Sequence, residues 1–538
     1  VEQAVAPEAV ALGRPRPPAF VVVGALATAA LVALPLAYIF FHTLSRGLGA
    51  YIESLTDPLS LRLLGQTLAL VVGVLVVTWA IALPMAWLVV RTDLPARSLW
   101  ALVGALPLVF PSYVSAFTLV AALGPRGYAR SMLAPLGVER LPDWIYGYSG
   151  AVIVLGLFTY PYLFLLLVSA LRRLDPAHEE SARSLGYGRW HTYFRLVLPQ
   201  LRPALLAGSL LVVLYTVSDF GAVSIVRFST FTLTIYNAYQ SLFDRTLAAT
   251  LATSLVLLTV SFLLLEAWLS RRTRPEMGSA KRQPRVQRLG RWKWPAIGGL
   301  GLIAFFNLVL PLGVIVYWAA RAIAVGNPLG SVGPAVVNSL AVSIAAALVA
   351  AALSLPVVFW AVRWRGPVGQ VIERVSHAGY ALPGLVIALS LVFFATRFAR
   401  PLYQSVPLLV LAYVCRFFPE ALAATRSSVV ALSPRFEEAA KSLGRGRWYI
   451  LVSLILPLIR PGVLAGVGLV FLTAMKELPA TLILRPTGFD TLSTRIWQAA
   501  AEGIYSQAAI PSMLLLFASG FPVYFLIIRP SLRGSVRL

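Results

Sequence analysis

Charge is scarce in this chain. Only 12% of its 538 residues are Asp, Glu, Lys or Arg, about half the share of an ordinary soluble domain. Acidic residues are the scarcer sign, 21 against 45 Lys and Arg. A single cysteine, Cys415, excludes a disulfide framework within the chain. Its place beside Arg416 in an apolar stretch points to a buried, inert thiol. The four histidines, His42, His178, His191 and His377, are scattered and form no metal-ligand or catalytic spacing. No G-x-x-x-x-G-K-[ST] phosphate loop is present, and Gly444-Arg445-Gly446-Arg447 is too poor in glycine and wrongly spaced to replace one. No metal site, no bound cofactor and no enzymatic activity of the chain's own are therefore expected.

What fills the space is apolar: 59% of the residues are hydrophobic. They gather in runs free of charge, such as Arg16 to Arg46, Arg62 to Arg91, Arg97 to Arg126, Asp143 to Arg172 and Arg245 to Glu266. Later runs lie from Lys293 to Arg321, Arg374 to Arg397 and Glu502 to Arg529, with 337–362 completing the set. Each can supply the roughly 20 residues that cross a bilayer core. Three further stretches carry a charge inside: 203–226 with Asp219, 403–425 with Arg416 and Glu420, and 461–484 with Lys476 and Glu477. The fold expected is all-α and integral to the membrane, with about twelve transmembrane helices.

The net charge of +24 would fit nucleic acid, but its distribution reads as membrane topology instead. With the first residues in the cytoplasm and the spans alternating, basic clusters fall inside. They are Arg172, Arg173, Arg183, Arg189, Arg195 and Arg202 in one loop, and Arg426, Arg435, Lys441, Arg445, Arg447 and Arg460 in another. The basic segment from Arg271 to Lys293 also falls inside, whereas external loops carry few basic residues, Arg227 and Arg245 in one and Arg321 alone in another. This is the positive-inside asymmetry. It implies a multi-pass membrane protein, both termini cytoplasmic, in contact with lipid and not with nucleic acid.

The two halves repeat. SARSLGYGRW (181–190) returns as AAKSLGRGRW (439–448), 258 residues later, and Leu198-Pro199 returns as Leu456-Pro457. Upstream the separation is 272, matching Leu83-Pro84 with Leu355-Pro356, Arg91 with Arg363, and Pro111 with Pro383. An even number of spans in each half makes the repeats parallel, related by an axis along the membrane normal, with a pathway between them. The expected division is a first repeat over 1–270, a flexible basic linker over 271–294, and a second repeat over 295–538.

A cytoplasmic segment occurs once in each half. Asp175-Pro176, Glu179-Glu180-Ser181-Ala182, Gly186 and Leu198-Pro199 (loop 175–199) answer to Ser433-Pro434, Glu437-Glu438-Ala439-Ala440, Gly444 and Leu456-Pro457 (loop 433–457). Asp175 and Ser433 are good N-caps, and proline suits the first helical position. The glutamates suit the positive end of a helix dipole, and the glycines suit a left-handed helix end. This spacing resembles the EAA loop of permeases of binding-protein-dependent ABC importers, with Ser181 departing from the pattern and Glu438-Ala439-Ala440 matching it. The resemblance covers nearly the whole chain. It implies the ABC type I importer permease fold and a coupling helix in each half, docked by Glu180, Ser181, Ala182 and Gly186, and by Glu438, Ala439, Ala440 and Gly444. The partners it implies are two copies of an ATPase subunit, which would hold the ATP and Mg, and a periplasmic or lipid-anchored binding protein.

Asp219 and Glu477 lie at equivalent positions inside apolar spans, 258 residues apart. Ionisable groups there usually face a water-filled path, so Asp219, Lys476 and Glu477 are candidates to line one. The bland alternatives are that Lys476 neutralises Glu477 or that a helix ends before Asp219. Lys476-Glu477-Leu478-Pro479-Ala480-Thr481-Leu482 and Asp219-Phe220-Gly221-Ala222 resemble the iron(III) branch of these permeases; thiamine, phosphonate and polyamine importers look similar. The reading from another class is an ion-coupled secondary transporter, which would leave the paired loops unexplained.

Overall fold

The computed structural model describes residues 17–523 apart from 46, 126, 129, 131–133, 137–142, 272–285, 327–331, 365, 378, 380–381 and 434. Among the described residues the elements are helices, with one isolated parallel β-bridge between Thr92 and Gln287.

The first repeat supplies α1 (Ala19–Leu44), α2 (Pro58–Arg91), α3 (Arg97–Val109), α4 (Ser112–Leu123) and α5 (Gly147–Arg173). There follow α6 (Pro176–Ser184), α7 (Arg202–Ser218), α8 (Gly221–Ile225), α9 (Phe231–Gln240) and α10 (Arg245–Ser270). The second repeat returns the same series. It runs α11 (Gly290–Ala324), α12 (Val332–Arg363), α13 (Pro367–Ser376), α14 (Gly384–Phe398) and α15 (Val406–Ala431). It ends with α16 (Arg435–Ser442), α17 (Ile450–Met475), α18 (Pro479–Leu484), α19 (Leu492–Ala501) and α20 (Tyr505–Val523).

Eight helices are single, apolar and long enough to cross a membrane, and two bent pairs raise the number to 10. The other two spans expected from sequence fall on α14, an apolar helix of 15 residues, and α20, of 19 residues. The difference from twelve clean spans has a physical origin. The third run breaks by 99° between α3 and α4. Pro111 there is extended (φ −65°, ψ 149°), and the residue before a proline is driven out of the helical region, as Phe110 is (ψ 125°). Pro383 repeats the device ahead of α14 (φ −57°, ψ 141°). The fifth span bends by 61° between Tyr193–Gln200 and α7.

Mid-helix apolar side chains stand exposed on several helices: Val72, Val76 and Trp79 on α2, Leu264 and Trp268 on α10, Leu302 and Val309 on α11, Ile344 and Leu348 on α12. Apolar surface of that extent is untenable in water and suits lipid contact.

The chain folds as two compact units whose borders do not follow the halves of the sequence. The smaller comprises the residues up to Leu34, Ser343–Tyr380 and Tyr413–Ala474; the larger comprises Pro35–Val342, Ala381–Ala412 and Met475–Leu538. Within the smaller unit the first turns of α1 join second-repeat helices. Phe20 meets the Trp448 ring edge-on at 6.5 Å, and the Cys415 thiol, fully buried, lies 3.5 Å from the Leu31 carbonyl oxygen. Ser354 and Thr425 hydroxyls pair at 3.0 Å between α12 and α15. Within the larger unit α11 joins first-repeat helices: Leu300 packs into the core of Met85, Val89, Phe164, Leu167 and Leu205. Each repeat thus lends its first span to helices of the other.

The described end of the linker is tethered. Gln287 N–H donates to the Arg91 carbonyl (2.8 Å), Asp93 N–H donates to the Gln287 carbonyl (3.0 Å), and Asp93 Oδ1 accepts from Leu289 N–H (2.8 Å). Helical structure begins at Gly290, inside the segment expected to be flexible up to 294. Linker residues 272–285 lie outside the described residues.

Candidate functional site

Two places in the fold combine polar chemistry with repeat symmetry: the loop helices α6 and α16, and the breaks that follow α7 and α17. On the first, Asp175 caps α6, its Oδ1 accepting from Ala177 N–H at 2.9 Å. Ser433 Oγ accepts from Arg435 N–H at 3.4 Å ahead of α16. Both helices end as their glycines suggest. Gly186 has φ +83° and Gly444 φ +74°, a region open to glycine and strained for other residues. The chain there folds back, Tyr187 N–H onto the Ala182 carbonyl and Arg445 N–H onto the Ala440 carbonyl, each at 3.1 Å.

The two adjacent glutamates of each loop do different work. Glu179 pairs with Arg91 at the end of α2 (Nη1 to Oε1, 3.1 Å), the side chains 11% and 1% exposed. Glu437 pairs with Arg363 at the end of α12 (Nη2 to Oε1, 2.7 Å), the side chains 20% and 13% exposed. The angles make both ion pairs rather than directed hydrogen bonds. Glu180 and Glu438, one position on, are exposed, as are Ser181 and Ala439; Ala182 and Ala440 are half-buried. Leu185 and Leu443 stand out beside them at 76% and 79% exposure. Each loop therefore presents an acidic and apolar face on a helix riveted from behind to a long membrane helix.

At the second place, α7 stops at Ser218 and the short helix α8 starts at Gly221. Asp219 lies between them. Its Oδ1 accepts from Ala222 N–H (2.9 Å) and Val223 N–H (3.3 Å), capping α8. Glu477 does the same for α18, its Oε1 accepting from Ala480 N–H at 3.1 Å. Backbone N–H groups at a helix start are the natural partners of a carboxylate withdrawn from water. Hydroxyls hold the carbonyls of the same two residues: Thr232 donates to Asp219 O (2.6 Å) and Ser493 to Glu477 O (2.7 Å). Thr230 supports Thr232, and Thr491 supports Ser493, each at 2.9 Å between hydroxyl oxygens. Gly221 sits where a Cβ would come within 2.9 Å of Tyr113 Cβ, so the approach of α8 to α4 excludes a side chain there.

The sequence candidates thus divide. The helix does end before Asp219, and the contacts of Asp219 and Glu477 described above are caps. Lys476 Nζ donates to the Leu108 carbonyl oxygen (3.1 Å), and its own carbonyl accepts from Tyr113 OH at 3.5 Å. Glu420 accepts from the Thr473 hydroxyl (3.0 Å), and Arg416 lies over the Phe417 ring at 5.5 Å. Tyr113 and Tyr160 are buried. Sequence reasoning missed the ion pairs, although Arg91 and Arg363 had appeared as a repeat match. It also missed the hydroxyl pairs, because the separation of the halves grows to 261 after Thr230, matched by Thr491. The extra residues lie in the loop where Arg485 and Arg495 both reach the Asp490 carboxylate.

Comparison with known proteins places these features in a family. Residues 96–275 and 343–529 each match the family described as binding-protein-dependent transport system inner membrane component. The Fe(3+)-transport system permease protein of Haemophilus influenzae is 31% identical over 520 residues, covering 95% of this chain and 98% of that protein. The ferric transport system permease protein of Actinobacillus pleuropneumoniae is 24% identical over 441 residues, 78% of this chain and 64% of that protein. The molybdenum transport system permease protein of Escherichia coli K12 is 32% identical over 204 residues, 36% of this chain and 86% of that protein.

Proposed function

The chain belongs to the family of binding-protein-dependent transport system inner membrane components, and from that premise we propose that it carries iron(III) inward as the fused permease of an ABC importer. The full-length likeness to a protein named for Fe(3+) transport supports the cargo. The single observation that carries the mechanism is the doubled loop helix: Glu180 and Glu438 exposed, Glu179 and Glu437 anchored.

In this reading two copies of an ATPase subunit, holding ATP and Mg, dock on α6 and α16. The exposed glutamates and the leucines beside them meet the ATPase. The ion pairs behind them pass the displacement to α2 and α12, so the helices move with the loops instead of the loops bending away. Separating the partners would leave a largely buried charge uncompensated, so loop and helix stay together as they move. A binding protein outside the membrane captures the iron and delivers it to the pathway between the repeats. In this reading the loops, the linker and both termini face the cytoplasm, the side that the basic clusters favour.

Asp219, Lys476 and Glu477 shape that pathway by fixing its walls. The two carboxylates hold α8 and α18 at the breaks, and Lys476 ties its loop to the end of α3. The test is uptake into proteoliposomes holding the chain, its ATPase and its binding protein, with labelled iron(III) and labelled thiamine in parallel. Iron uptake that needs ATP and the binding protein is expected. Thiamine uptake instead would overturn the cargo, and uptake without ATP would overturn the mechanism.

A further inference from the structure

Three aromatic rings meet beyond the breaks. Phe220, the residue after the cap Asp219, lies 4.8 Å from Tyr236 on α9 and 5.5 Å from Trp497 on α19. Tyr236 and Trp497 face each other edge-to-face, centroids 5.8 Å apart at 79°. The Trp497 indole N–H donates to the Ser224 hydroxyl on α8 at 2.8 Å. Phe220, Ser224 and Tyr236 come from the first repeat and Trp497 from the second.

The repeat alignment gives this cluster its meaning. Downstream of Thr230 the halves are separated by 261 residues, and Trp497 is 261 residues after Tyr236. The two are the same position of the repeat. A residue that touches its own symmetry mate lies on the axis that relates them. Each ring centre therefore falls about 3 Å from that axis, half of the 5.8 Å separation. A route between parallel repeats runs along the same axis. The cluster also has a definite level: α7 rises from the loop side for 17 residues, about 25 Å at 1.5 Å per residue, before Asp219 and Phe220 are reached.

We propose that Phe220, Tyr236 and Trp497 form the seal that closes the substrate route on the side away from the coupling helices, with Ser224 as the latch that holds Trp497 across it. The seal rests on the permease reading but not on the identity of the cargo. Its parts are suited to opening. The hydroxyl bond and the ring contacts are individually weak, and α8, α9 and α19 are short helices next to breaks. Outward opening separates Tyr236 from Trp497, because motion of the repeats apart moves equivalent positions away from their common axis.

Two measurements on the assembled complex in proteoliposomes test this. The first is leak of encapsulated rubidium without ATP, which needs no knowledge of the cargo. The Tyr236→Ala, Trp497→Ala double variant should leak roughly tenfold or more above the unaltered complex, on the scale set by lost aromatic contacts. Trp497→Phe, which keeps a ring but loses the indole N–H, and Ser224→Ala, which removes its acceptor, should both leak only slightly. A double variant as tight as the unaltered complex would overturn the proposal. The second uses Tyr236→Cys with Trp497→Cys in a Cys415→Ala background. A short thiol cross-linker should join the pair at rest, stop uptake, and release it on reduction. The yield should fall when the ATPase is trapped with ATP and vanadate. Full-rate uptake by the cross-linked chain would overturn the seal even if the leak result agreed. A cargo other than iron would leave both measurements intact and remove only the iron assignment.

Discussion

The two loop helices have the same design and unequal anchorage. Behind α6, Arg91 is buried and Glu179 nearly so, and the Arg91 carbonyl is further engaged by Gln287 from the linker. Behind α16, Arg363 and Glu437 are more exposed, and Arg363 reaches only as far as the Leu432 carbonyl (3.5 Å) for added support. Two separate copies of one permease could not differ in this way. One loop helix is thus anchored more deeply than the other, and linker residue Gln287 bonds to the carbonyl of the arginine that anchors it.

The comparison can be broken in order of effect. Arg91→Ala leaves Glu179 buried without its partner and should cost about 3–5 kcal/mol of stability, read as a large fall in the unfolding midpoint in detergent, with uptake lost. Arg363→Ala should cost less, roughly 1–3 kcal/mol, because solvent screens part of that pair. Equal losses would show the anchorage to be symmetric. Exchanging the charges (Arg91→Glu with Glu179→Arg) should restore part of the coupling that either change alone removes. At the loop ends, Gly186→Ala and Gly444→Ala should each cost about 1–2 kcal/mol, the penalty of a left-handed conformation for a residue with a Cβ. The smallest effect is expected from Gln287→Pro, which deletes the N–H given to Arg91. It should slow uptake slightly through α6 and leave cross-linking of the ATPase to α16 unchanged.

Much of this was legible beforehand, because the signals were local or repeated. Runs without charge marked the membrane helices, and Asp175, Gly186 and Gly444 marked the loop-helix ends through cap and turn chemistry. The breaks at Pro111 and Pro383 were visible as matched prolines but not as bends, since apolar runs look the same straight or broken. The role of Asp219 and Glu477 could not be read, because a carboxylate in an apolar run is equally well a path residue or a cap. The Arg91–Glu179 and Tyr236–Trp497 contacts join residues far apart in sequence, and only the repeat register hinted at them. That register shifts from 272 to 258 to 261 along the chain, so a search at one fixed separation finds only part of it.

The most direct test of the account is uptake of labelled iron(III) per ATP hydrolysed, measured for the unaltered chain and for Glu180→Arg with Glu438→Arg, both assembled with ATPase and binding protein. The account predicts coupled uptake by the first. It predicts a double variant that inserts normally, keeps its two ion pairs, and imports nothing however much ATP is consumed. Normal uptake by that double variant would contradict it.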